Sequence, residues 1–77
     1  MEKQEIRKAE ISTPFIKLDS LLKFSGLALT GGQAKEMILS GAVLVNGEEC
    51  LQRGKKIYPG DKVAVDSIHV EVSACAE

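Results

Sequence analysis

The sequence predicts an α+β fold in which two short helices pack on one face of a small antiparallel sheet. Three observations carry this prediction. Leu18, Leu21, Leu22 and Ser25 follow the i, i+3, i+4, i+7 spacing of one helix face, and Ala34, Met37, Ile38 and Gly41 repeat it further on. From Val43 the apolar residues alternate instead, in Val43-Leu44-Val45, Lys62-Val63-Ala64-Val65 and Ile68-His69-Val70-Glu71-Val72. Between these runs lie the turn signals Asn46-Gly47, Pro59-Gly60 and Asp66-Ser67. Two amphipathic helices followed by hairpins can bury their apolar sides only against each other.

Taken in order, residues 4–11 place Ile6 and Ile11 among charges and suit an edge strand. Ser12-Thr13-Pro14 ends it, because Pro14 offers no amide and pushes Thr13 toward extended geometry. The Leu-striped helix should stop at Gly26, a suitable left-handed cap. The second helix opens on Thr30 with Gln33 as a capping box, the Gln side chain reaching back to the Thr30 amide, and Leu29 is placed to staple onto Ala34. Asn46-Gly47 signals a type I′ hairpin that returns through Glu48-Glu49-Cys50-Leu51, and Tyr58-Pro59-Gly60-Asp61 reads as a type II turn. The division expected is an N-terminal extension over residues 1–15, a principal domain over 16–66, and a last strand with a fraying tail over 67–77.

Composition narrows the function classes. Seventy-seven residues make one domain, and a chain so short buries only about 60% of its unfolded surface, which leaves little room for a large catalytic cleft. Hydrophobic residues make up 44% but aromatics only 4%, so the core rests on aliphatics, with Phe15 and Phe24 expected in it and Tyr58 at the surface. No apolar run approaches a membrane span and the N-terminus leads into no signal-peptide core, so a cytoplasmic protein with no membrane partner is expected. Cys50, Cys75 and His69 are the only residues of their kinds and cannot assemble a four-ligand zinc site, so no metal and no cofactor is expected. Acidic side chains are dispersed, neither cysteine sits in a strand-turn-helix elbow, and His69 in its alternating strand reads as structural or solvent-facing. The expectation is a binder, not an enzyme.

The net charge of −1 argues at first against nucleic acid, but its distribution does not. Residues 17–62 hold seven basic and five acidic side chains, a surplus of two, while the flanks hold three basic and six acidic, a deficit of three. Arg53, Lys55 and Lys56 crowd around Gly54, an arrangement that serves equally as a solvated turn or as a phosphate-binding patch. The start of the second helix is the sharper candidate. Gly31 and Gly32 each cost roughly 1 kcal/mol against alanine in a helix, which suggests that something approaches their backbone. Free first-turn amides, the positive dipole end and Lys35 one turn later all suit a phosphate.

The whole order, Lys17-Leu18-Asp19 and Leu22, Gly26-Leu27-Ala28, Thr30 with Ala34-Lys35, Ile38 and Gly41 before Val43-Leu44-Val45-Asn46-Gly47, and Gly60-Asp61 before Val63 and Val65, resembles the S4 domain family. That family comprises small RNA-binding modules of a small-subunit ribosomal protein, pseudouridine synthases and tyrosyl-tRNA synthetases. The resemblance covers residues 16–65 and is closest to the small stand-alone bacterial S4 proteins of the YbcJ and YaaA type. It implies a non-catalytic protein that recognises structured RNA, ribosomal or tRNA-like, with the ribosomal subunit as partner and ribosome assembly or maturation as the process. It further implies that Lys17, Thr30, Gly31, Gln33 and Lys35 face the RNA; Lys23 and Gly32 join them as RNA-binding candidates, with Arg53, Lys55 and Lys56 as a second line if the hairpin brings them beside Lys35. Two departures stand out. Lys17 replaces a common arginine and loses its bidentate fork, and Gly31 stands where many relatives carry another arginine.

Two other readings compete. A protein-interaction module docking on a ribosomal protein or an enzyme through its helical face would not need the basic residues. A β-grasp carrier would share Val45-Asn46-Gly47-Glu48 and Gly60-Asp61 but requires a C-terminal Gly-Gly, which Ser73-Ala74-Cys75-Ala76-Glu77 does not supply. A-form RNA hides its base edges in a narrow major groove, so recognition by shape and phosphate position is expected rather than strong sequence specificity.

Overall fold

The computed structural model describes residues 5–75. The expected strand start at Gln4 and the end of the tail at 76–77 lie outside the described residues. The elements run β1 (Glu5–Ile11), β2 (Ile16–Lys17), α1 (Leu18–Phe24), α2 (Gly31–Leu39), β3 (Val43–Val45), β4 (Glu48–Glu49), β5 (Lys56–Ile57), β6 (Lys62–Val65) and β7 (Ile68–Ala74). Five strands form one sheet in the order β1-β7-β6-β3-β4, and β2 with β5 forms a separate two-stranded ribbon.

The fold class is the α+β arrangement read from the sequence. β7, β6, β3 and β4 are antiparallel neighbours, with the expected turns joining β3 to β4 and β6 to β7. Asn46 and Gly47 both take positive φ, 52° and 87°, as a type I′ turn requires. The sheet as a whole is mixed, however, because β1 lies parallel to β7, from Glu5 opposite Ile68 to Ile11 opposite Ala74. A parallel pair needs a long crossover, and here both helices and the rest of the sheet intervene.

Alternation settles which side of each strand meets the helices. Ala9 and Ile11 of β1, Val43 and Val45 of β3, Val63 and Val65 of β6, and Val70 and Val72 of β7 are buried against Leu18, Leu21, Leu22, Ala34 and Ile38. Ile6 has the opposite parity and is 60% exposed. Both helices end in Schellman motifs. Leu27 N donates to Leu22 O and Gly26 N to Lys23 O, while Ala42 N donates to Met37 O and Gly41 N to Ile38 O. Gly26 and Gly41 take φ of +82° and +83°, so Gly41 closes α2 and does not extend its apolar stripe.

Four local expectations need correction. Phe24 is 60% exposed instead of core, because it lies about 200° around α1 from Leu22. Phe15 is only half-buried and outside the core cluster. Leu29 is 87% exposed, so it forms no staple with the buried Ala34. The return strand after Asn46-Gly47 is shorter than expected, ending at Glu49.

Candidate nucleic-acid interface

The ribbon of β2 and β5 organises the basic residues. Ile16 pairs with Ile57 and Lys17 with Lys56, antiparallel. Ile57 is fully buried, so the lysines, one step along each strand, share the opposite and exposed face. Continuing the register one step the other way sets Phe15 across from Tyr58, and their rings lie 5.8 Å apart with a 49° tilt. The Lys56 ammonium sits 4.9 Å from the Phe15 ring centroid. One face of this ribbon therefore carries two lysines and two aromatic rings.

Like charges directly opposite each other on paired strands oppose folding. Neither Lys17 nor Lys56 is relieved by a carboxylate, since the ion pair among the described residues joins Arg7 to Glu5. The aromatic contact of Lys56 offsets part of that repulsion. A local arrangement that works against the fold without a structural gain is what a binding surface looks like.

The basic turn is tied to the same place by the way α1 begins. Lys17 occupies the N-cap without a side-chain cap bond. The orphan amides at that helix start are instead taken by turn carbonyls, Leu18 N donating to Lys55 O at 2.9 Å and Asp19 N to Arg53 O at 3.1 Å. Arg53, Lys55, Lys56 and Lys17 are thus held together by main-chain bonds, and all four side chains are exposed. Among the described residues no hydrogen bond joins this turn to α2; its main-chain bonds run to Leu18 and Asp19, beside Lys17.

The start of α2 forms a second group. Thr30 Oγ1 accepts from Gln33 N at 3.1 Å, as a capping box requires. Gln33 Oε1 accepts from the Leu29 amide at 2.8 Å and not from the Thr30 amide, because the side chain reaches one residue further back. The amides of Gly31 and Gly32 have no acceptor among the described residues. A Cβ at Gly31 would meet nothing within 4 Å, and one at Gly32 only Thr30 Oγ1 at 3.9 Å. Neither has a positive φ, so the fold itself does not demand glycine at either position. Lys35 is exposed one turn on. Lys23 stands apart from the basic turn, at the far end of α1 from Lys17, about 8–9 Å along the helix axis.

Two features were not foreseen from sequence. Phe15 joins the interface because the ribbon pairs it with Tyr58. Arg7 from β1 donates through Nη1 to the Ser25 carbonyl at 2.6 Å, capping the C-terminus of α1 and fixing the helix layer to the sheet.

A groove of about 720 Å³ runs beside the ribbon, lined by Asn46, Glu48, Glu49, Lys55, Lys56 and Tyr58 among others. Asn46 and Asp61 fasten its floor: Asn46 Nδ2 donates to Asp61 Oδ1, Lys62 N to Asn46 Oδ1, and Tyr58 N to Asp61 Oδ2. Among the described residues no group of three or more His, Cys, Asp or Glu side chains could hold a metal, and no helix is long and apolar enough to cross a membrane.

The S4 domain family profile matches residues 9–73. The chain belongs to the S4 domain family. The S4 match extends from β1 into β7, wider than the resemblance read from sequence, and takes in every candidate residue of the interface. The chain is also 39% identical, over 56 residues, to a Bacillus subtilis (strain 168) protein described as probable ribosome maturation protein RlbA. That alignment covers 73% of this chain and 79% of the relative.

Proposed function

We propose that this S4 protein binds structured RNA, ribosomal RNA in particular, without catalysing a reaction on it, and that it acts in ribosome assembly or maturation in the cytoplasm. The observation that carries the reading is the pairing of Lys17 with Lys56, neither relieved by a carboxylate among the described residues and both tied to Arg53 and Lys55 through the start of α1. Four cations on one exposed surface attract phosphates and release their counterions. The bare amides of Gly31 and Gly32, with Thr30, Gln33 and Lys35 around them, offer a second phosphate position on the same helical layer. The description of the Bacillus subtilis relative as a ribosome maturation protein supports the ribosomal partner.

The test is co-sedimentation with ribosomal subunits, comparing the protein with a variant carrying Lys35→Glu, Arg53→Glu, Lys55→Glu and Lys56→Glu. All four side chains are exposed, so the variant should fold. It should also fail to sediment with the subunits. Undiminished association would contradict the RNA surface and favour docking through protein. That second reading has an observation of its own, since the helical layer carries three exposed large apolar side chains, Phe24, Leu29 and Leu39.

A further inference from the structure

We propose that Tyr58, backed by Phe15 and flanked by Lys56, is a stacking platform for an unpaired nucleobase adjoining the structured RNA. The inference rests on the RNA-binding reading and adds a chemical class of ligand that phosphate recognition alone does not require.

Tyr58 is 48% exposed although its neighbour Ile57 is completely buried. Its backbone is fixed by the turn, its amide donating to Asp61 Oδ2 at 2.8 Å and its carbonyl accepting from Asp61 N at 2.9 Å. Its hydroxyl has no hydrogen-bond partner among the described residues, so the fold makes no use of the polar end of the ring. Phe15 supports the ring from one side at 5.8 Å and is itself only half-buried, so the pair is a surface feature and not an outlying part of the core.

The charges around the ring set the direction of the chain. Lys56 and Lys17 share the ribbon face with Phe15 and Tyr58. Glu48 and Glu49 also line the groove and disfavour phosphate there, and the carboxylate of Asp61 is already engaged by Asn46 and the Tyr58 amide. A nucleotide therefore seats its base on Tyr58 with its phosphates on the Lys17 and Lys56 side. Aromatic rings interleaved with cations are how proteins hold single-stranded segments without reading their sequence.

The chain has one tyrosine and no tryptophan, so tyrosine emission reports on Tyr58 alone. The experiment titrates the intact protein with a blunt RNA hairpin and with the same hairpin carrying a short unpaired adenosine tail, reading affinity and tyrosine emission together. The tailed hairpin is expected to bind roughly 5- to 100-fold more tightly and to quench the emission. Tyr58→Phe should keep the advantage of the tail and Tyr58→Leu should lose it, while both still bind the blunt hairpin. Equal binding of the two hairpins with unquenched emission overturns the stacking platform and leaves phosphate recognition standing. Failure of both hairpins to bind overturns the platform together with the RNA reading on which it rests.

Discussion

Replacing Gly31 and Gly32 by alanine should make the protein more stable and its RNA binding weaker. Both residues lie in the first turn of α2 with no positive φ, and an added methyl meets nothing closer than Thr30 Oγ1 at 3.9 Å. Nothing in the folded state therefore opposes alanine, which also restricts the unfolded chain. Each replacement is worth about 0.4–1 kcal/mol, or about 1–2 kcal/mol for the pair. For a domain of this size that raises Tm by roughly 5–15 °C. On the RNA side the methyls crowd the two amides that have no acceptor among the described residues. Hydrogen bonds to a charged acceptor contribute about 1.5–3 kcal/mol, so their partial loss should weaken binding by roughly 5- to 30-fold. Thermal melts and fluorescence anisotropy with a labelled ribosomal RNA fragment measure the two effects separately. Because the signs are opposite, lost binding cannot be blamed on lost structure. A stabilised variant with unchanged affinity would refute the idea that the glycines give a phosphate access to the backbone.

Three further outcomes follow from the fold. Arg7→Ala removes the donor to the Ser25 carbonyl and should destabilise by about 1 kcal/mol in urea denaturation, without altering RNA affinity. Asp61→Ala breaks the bonds to Asn46 and to the Tyr58 amide, so about 1–2 kcal/mol should be lost. Its mark in an NMR spectrum should be shifts that reach Asn46 and Tyr58 together. Leu22→Ala, at a fully buried position of α1, should cost about 2–5 kcal/mol and bring a 77-residue domain close to unfolding, as a denaturation midpoint would record.

What the sequence disclosed depended on how local each signal was. The helices were legible because Leu18, Leu21 and Leu22 in α1, and Ala34 and Ile38 in α2, repeat on one face, and all five are buried. The turns were legible because Asn46-Gly47 and Pro59-Gly60 carry turn chemistry in the residues themselves. β2 and β5 were invisible, since two residues have no period, and with them went the pairing of Lys17 with Lys56 and the surface position of Phe15. The parallel partnership of β1 with β7 joins opposite ends of the chain, which no local pattern announces. The missing side-chain cap at Lys17 was a usable clue, because a helix start without Ser, Thr, Asp or Asn must find acceptors elsewhere. They came from the basic turn, and that is how the turn reached Lys17.

The central claim is that paired lysines and the basic turn meet phosphates, and the salt dependence of binding tests it most directly. Affinity for a structured ribosomal RNA fragment should be measured across a range of salt for the native protein and for a Lys17→Gln, Lys56→Gln variant. If about four phosphates are engaged, log affinity should fall against log salt with a slope of roughly −3 to −4, and the variant should be shallower by about 1.5–2. A flat response in the native protein, or the same slope in both, would contradict the account.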